Sequence, residues 1–104
     1  MIEYKEDGII TIDKTKKKKV KCFTYHYKPL NRKLIIHSDI DNKGVTNLSD
    51  AITGYKLFSI PIQSDKIKLN DIEEKLEKYV AHFTIEGITE EFTRIEKLTT
   101  GKIK

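Results

Sequence analysis

The sequence predicts an α+β fold: an antiparallel sheet of about four to five strands over residues 1–62, with one face covered by one or two C-terminal helices over residues 70–99. Three observations carry that expectation. Up to Pro61, short apolar runs alternate with polar residues, the period of strands. Beyond Pro61, apolar residues recur every three or four positions, the period of helices. The chain has 104 residues, the length of one ordinary domain, so 1–104 reads as a single unit with one modest core.

The elements follow in order. Residues 2–5 and 9–13 flank Glu6-Asp7-Gly8, and Asp-Gly between alternating apolar residues signals a hairpin. Residues 14–19 read as a polar bend. Residues 20–28 (VKCFTYHYK) are rich in aromatic and β-branched side chains and form the clearest strand. Pro29-Leu30-Asn31-Arg32-Lys33 is a turn, 34–40 a second apolar strand, 41–49 a loop, and 51–61 a strand stopped by Pro61. A turn centred on Asn31 and Arg32 pairs Tyr27 with Ile36, His26 with His37, and Phe23 with Ile40. Side chains alternate across a strand. One face then collects Phe23, Tyr25, Tyr27, Leu34, Ile36 and Ile40 as core. The other, with Cys22, Thr24, His26, Ile35, His37 and Asp39, is a mostly polar, open face.

In the helical half, Asn70 caps a first helix with Glu73 three residues on. Ile72, Leu76, Tyr79, Val80 and Phe83 line its buried side. Gly87 interrupts. Ile88, Phe92, Ile95 and Leu98 continue the stripe in a second helix, capped by Thr89 and ended by Gly101.

Charge is uneven. The net charge is +4, yet residues 14–33 hold nine basic residues and no acid. These are Lys14, Lys16, Lys17, Lys18, Lys19, Lys21, Lys28, Arg32 and Lys33, and they form the candidate binding segment. A basic patch on an otherwise near-neutral body favours polyanions or an acidic face on a partner. The same lysines also suit a solvated turn or a protected sheet edge. Lys19, Lys21, Phe23, Tyr25 and Tyr27 share one strand face, and aromatics beside lysines can stack bases and hold phosphates. The apolar residues opposite them assign these aromatics to the core instead.

Other chemistry is sparse. One cysteine, Cys22, allows no internal disulfide and no cysteine-based zinc site, and fits a reducing cytoplasm. Nothing approaches a membrane span. His26, His37, Asp39 and Cys22 form a ligand-like cluster, but an open sheet face neither orients ligands nor excludes water. Asp39, Asp41, Gly44 and Asp50 imitate calcium-loop positions one, three, six and twelve, yet Lys43 stands where a ligand belongs. No phosphate loop or nucleophile motif is present. The acids Glu73, Glu74, Glu77, Glu90 and Glu91 fall on the polar helix faces. No cofactor and no enzymatic activity are expected.

Lysine outnumbers arginine 18 to 2 and isoleucine outnumbers valine 16 to 3, which implies an AT-rich source. Asn47-Leu48-Ser49-Asp50-Ala51-Ile52-Thr53-Gly54-Tyr55-Lys56-Leu57 resembles a segment in small proteins of phages and mobile elements of low-GC Gram-positive bacteria. The shared pattern is Ser-Asp, two residues, Thr-Gly and an apolar strand. That resemblance implies a stoichiometric inhibitor of a host nucleic-acid-handling or defence protein, of the anti-CRISPR kind, or a nucleic-acid accessory protein. The sequence expectation is therefore a small interaction protein that binds a host protein or protein–nucleic-acid complex. Its alternative is sequence-nonspecific DNA or RNA binding through residues 14–33.

Overall fold

The longest strand organises the sheet. β2 (Lys16–Tyr27) pairs its first half with β1 (Glu6–Asp13) and its second half with β3 (Arg32–Ser38). β4 (Thr46–Asp50) and β5 (Lys56–Ile60) complete a five-stranded antiparallel sheet in chain order. The structure is a computed structural model, and it describes residues 2–13 and 16–100. α1 (Leu69–Phe83) and α2 (Ile85–Thr100) follow the strands, so the α+β expectation holds. Among the described residues, no helix is long and apolar enough to cross a membrane.

One sheet face is packed as expected. Leu34, Ile36 and Leu48 are fully buried there against Ile72 and Leu76 of α1, with Tyr27, Ile60 and Ile67 around them. Ile88, Phe92 and Ile95 bury the inner side of α2. Phe83 and Leu98, at the ends of the two stripes, stay exposed.

The other face is not open. Cys22, Ile35 and His37 are all nearly inaccessible, and Ile10 of β1 joins Cys22 and Ile35 in a second core. The sheet curls so that β1 lies across this face and reaches the β4–β5 turn. There the Thr11 N–H donates to Gly54 O at 2.9 Å and the Thr11 hydroxyl donates to Thr53 O at 2.7 Å. Gly54 has φ 77°, a conformation that favours glycine. A Cβ on it would stand 2.8 Å from Thr11 N.

Several expected boundaries move, each for a local reason. Glu6-Asp7-Gly8 is not a hairpin turn but part of β1. Gly8 is needed for close approach, since an added Cβ would lie 2.8 Å from the Cys22 sulfur. Lys16 to Lys19 are strand rather than bend, because β1 supplies their ladder partners. The β2–β3 register is four residues tighter than expected. Phe23 faces Ile36, Tyr25 faces Leu34 and Tyr27 faces Arg32. The chain reverses earlier, in a 3-10 turn at Lys28–Leu30 closed by Asn31 at φ 48°. An even shift keeps every side chain on its expected face.

The expected loop at 41–49 contains most of β4, whose sequence TNLSD is too polar to announce a buried strand. The expected strand at 51–61 begins with a turn and becomes β5 only at Lys56. α1 starts before Asn70: the Lys68 N–H donates to the Asp71 carboxylate at 3.0 Å, while Asn70 bonds Glu74. The break between the helices falls at Thr84, not Gly87. Thr84, at φ 65°, donates its N–H to Val80 O and accepts the Gly87 N–H on its hydroxyl. Thr84 therefore caps α2 in place of Thr89. Gly101 lies outside the described residues.

Candidate nucleic-acid interface

The β1–β2 ribbon gathers the densest charge. Lys16, Lys17, Lys18, Lys19 and Lys21 are all exposed along the first half of β2. Alternation divides them between the two sides of the strand. Lys17, Lys19 and Lys21 lie on the convex side, opposite Thr11, Ile9 and Asp7 of β1. Lys16 and Lys18 lie on the side of Val20 and Cys22. The exposed Ile9 shares the convex side with the lysine row.

Asp7 is the acid set into this row. Its carboxylate lies 2.8 Å from the Lys21 ammonium and 3.7 Å from that of Lys19. The Lys21 hydrogen bond and the Lys19 charge hold the Asp7 carboxyl below its usual range. Lys17 donates to the Thr11 hydroxyl at 3.5 Å.

The remaining candidates lie elsewhere. Lys28 and Lys33 are exposed near the β2–β3 turn, at the far end of the strand. Nine residue steps separate Lys19 from Lys28, about 30 Å at roughly 3.4 Å per residue. Arg32 points inward. Its Nε and Nη2 make paired bonds of 2.7 and 2.8 Å to Asp50, its Nη1 meets Glu96 at 3.1 Å, and it covers the Phe92 ring at 4.4 Å. That network ties α2 to the sheet. Lys14 lies outside the described residues.

The aromatic half of β2 belongs to the helix side. Tyr27 is buried, Phe23 and Tyr25 are half-buried against the main core, and the Tyr25 hydroxyl donates to Glu73 at 3.2 Å. Lys17, Lys19 and Lys21 thus share one strand face with these aromatics, the lysines along the half paired with β1 and the aromatics along the half packed against the helices.

The histidine cluster comes apart in the same way. His26 is exposed, Cys22 sits in the second core, and His37 and Asp39 take separate partners. No group of three or more His, Cys, Asp or Glu side chains among the described residues could hold a metal ion. His37 Nδ1 lies 3.0 Å from Ser38 O, which can only accept, so Nδ1 carries the proton. Its Nε2 then accepts the Ser49 hydroxyl at 2.8 Å. Burial pushes the imidazole pKa down, which keeps this tautomer neutral. Beside it the Asn47 amide donates to Asp39 at 2.8 Å and accepts the Ser59 hydroxyl at 2.7 Å. These bonds satisfy a polar sheet face beneath β1.

The calcium-like segment resolves similarly. Asp50 accepts from Arg32, from the Thr53 N–H at 3.0 Å and from the Thr53 hydroxyl at 2.7 Å. Burial alone would raise its carboxyl pKa, but the Arg32 and Thr53 bonds outweigh it and hold the pKa low. Sequence reasoning missed Ser49, Asn47 and Asp7 as partners because their roles depend on cross-strand register. The chain matches none of the protein-family models, curated proteins or solved structures with which it was compared.

Proposed function

We propose that the protein is a small, non-enzymatic interaction module whose working surface is the β1–β2 ribbon and whose partner is a nucleic-acid backbone. One observation carries this reading: five exposed lysines lie within six residues of one strand, clear of the helix-covered body. Lysine offers a flexible point charge rather than the planar fork that reads base edges, so contact with phosphate is its natural use. Binding of this kind is sequence-tolerant and strongly dependent on salt.

Fluorescence polarisation with labelled DNA and RNA, single- and double-stranded, at low and physiological salt tests the reading. The native protein should bind at low salt and lose affinity steeply as salt rises. The variant with Lys16, Lys17, Lys18 and Lys19 changed to Ser should not bind. Failure of the native protein to bind any of the four probes at low salt sinks the proposal.

A second reading draws on a different surface. Glu73, Glu74, Glu77, Glu90 and Glu91 are exposed on the helices, as are the apolar Phe83 and Leu98. Such a face suits the basic groove of a nucleic-acid-handling or defence protein, as expected of a phage-encoded inhibitor. This reading predicts a stoichiometric complex with such a protein in gel filtration, one that survives the lysine changes and fails when the helix acids become Gln.

A further inference from the structure

The hydrogen-bonding directions along β2 follow from one contact. The Thr11 N–H donates to Gly54 O at 2.9 Å, so it points away from β2. Residues directly opposite in an antiparallel pair share that outward direction. Lys17 faces Thr11, Lys19 faces Ile9 and Lys21 faces Asp7. The backbone N–H and C=O groups of Lys17, Lys19 and Lys21 therefore point away from β1, toward the edge that β3 occupies farther along. Phe23, Tyr25 and Tyr27 continue the same series, and they pair with Ile36, Leu34 and Arg32 of β3.

That ladder stops at Phe23. β3 ends at Ser38, and Asp39 donates its N–H to Val45 O on the β4 side. Among the described residues, no backbone group pairs with Lys17, Lys19 or Lys21 on this edge. An open row of donors and acceptors is a template for another strand.

Lysine surrounds the row. Lys17, Lys19 and Lys21 project from the convex side, and Lys16 and Lys18 from the other. Two copies of this edge would oppose lysine to lysine, and like charges directly opposite are destabilising. A second copy is therefore the wrong occupant. β1 shows the right one. From its side of the strand, Asp7 reaches Lys21 at 2.8 Å and Lys19 at 3.7 Å as a cross-strand ion pair. An acidic side chain on a strand added at the open edge meets the same ammonium groups from the opposite side. Acids at alternate positions of that strand recur every 6.8 Å or so, the spacing of the lysines, because both chains are extended β-strands.

We infer that the edge of β2 at Lys17–Lys21 accepts an extended acidic segment of a partner protein as a sixth strand of the sheet. Backbone pairing supplies the affinity and the lysines select for acids. This goes beyond the phosphate reading and excludes simultaneous occupancy, since strand and nucleic acid draw on the same ammonium groups.

The test is fluorescence polarisation at low salt with a labelled, end-blocked octapeptide of alternating Glu and Val, a copy of it N-methylated at its two central residues, and a labelled DNA duplex. N-methylation removes donors and keeps the charge, and adjacent residues point to opposite edges, so both edges of the peptide are spoiled. The proteins are native, Lys19→Pro and Lys19→Ser. Proline at Lys19 removes an outward donor without costing a ladder bond to β1, whereas serine loses the same charge and keeps that donor. The native protein should bind the peptide and hold the methylated copy about tenfold more weakly, the worth of one or two backbone hydrogen bonds. Lys19→Pro should bind the peptide about tenfold more weakly than Lys19→Ser, while the two bind the duplex alike. Thermal melts show whether Lys19→Pro is folded, and if it is not, the methylated peptide decides alone. No binding of the peptide by the native protein overturns the inference. Equal binding of the two peptides also overturns it, because charge alone then accounts for the attraction. So does a folded Lys19→Pro that binds the peptide as well as Lys19→Ser. Duplex binding that survives any of these results leaves the phosphate reading in place.

Discussion

The two sides of the sheet are closed by different physics. Under α1, closure is apolar: Leu34, Ile36, Leu48, Ile72 and Leu76 are fully buried, and Arg32, held in the sheet by Asp50, reaches Glu96 and Phe92 of α2. Under β1, closure is a small apolar patch of Ile10, Cys22 and Ile35 beside a row of hydrogen-bonded polar side chains. The helix side draws on burial, worth roughly 1.5–3 kcal/mol for each fully buried large side chain. The β1 side depends more on backbone fit at Gly8 and Gly54 and on hydrogen bonds with net values near 1 kcal/mol. The contrast predicts that damage to the helix side unfolds the molecule, whereas damage to the β1 side first lifts the ribbon.

The largest effect should come from Asp50→Ala. Asp50 is inaccessible and Arg32 only 13% exposed. Removing one partner of a buried pair costs up to about 3–5 kcal/mol, and here Glu96 still faces Arg32, so the lower end of that range is expected. Chemical denaturation should show a cooperative loss of that size. A loss below about 1 kcal/mol would mean that Glu96 alone compensates the Arg32 charge.

Next comes Gly54→Ala. Both the positive φ and the 2.8 Å approach to Thr11 N oppose a side chain. The expected cost is about 1–3 kcal/mol, and hydrogen exchange should place it locally. The Thr11 amide should exchange much faster while amides of β3 and β4 keep their protection. Uniform loss of protection would show that the two sides do not open independently.

Acid separates the two sides by pH. His37 is neutral when folded and its pKa is depressed by burial, so the unfolded chain binds the proton first. Its contribution is complete above the unfolded value of about 6.5 and is lost as pH falls below it. Asp50, also depressed, contributes fully above about 3.9 and loses that contribution only in stronger acid. Thermal melts across pH should show two declines. His37→Gln should remove the upper one and leave the lower untouched.

The smallest effect belongs to the ribbon lysines. Lys16, Lys17, Lys18 and Lys19 are exposed, so changing any one of them to Ser should move stability by no more than about 0.5 kcal/mol. Any loss of binding in such variants is then a surface effect rather than unfolding.

The helix side was largely legible in the sequence, because burial there follows periodicity. Leu34, Ile36, Ile72 and Leu76 fall at the spacings that place them in the core. The β1 side was not. Its strand β4 is polar, Gly8 looks like a turn residue, and Ile35 and His37 look like one apolar and one polar residue on an open face. What buries them is the curl of the sheet, a long-range event that leaves no local period. The basic segment was visible as composition. Its division into a convex row, a far pair at Lys28 and Lys33, and an internal Arg32 was not, because that division depends on pairing register. Arg32 carries the same charge as its neighbours and was separated from them only by Asp50 across the sheet.

Cys22 gives the molecule a clock. It is the single cysteine, 1% exposed, and it lies directly beneath Gly8 of β1. Burial pushes its thiol pKa up, and Glu6 pushes in the same direction, so in the closed state the sulfur is both covered and protonated. Thiolate is the reactive form. A thiol reagent in large excess therefore reacts at the rate at which β1 lifts, and a nucleic acid bound across the ribbon as proposed would slow that rate. Disulfide-exchange kinetics at one atom then time the opening of a strand without any introduced label.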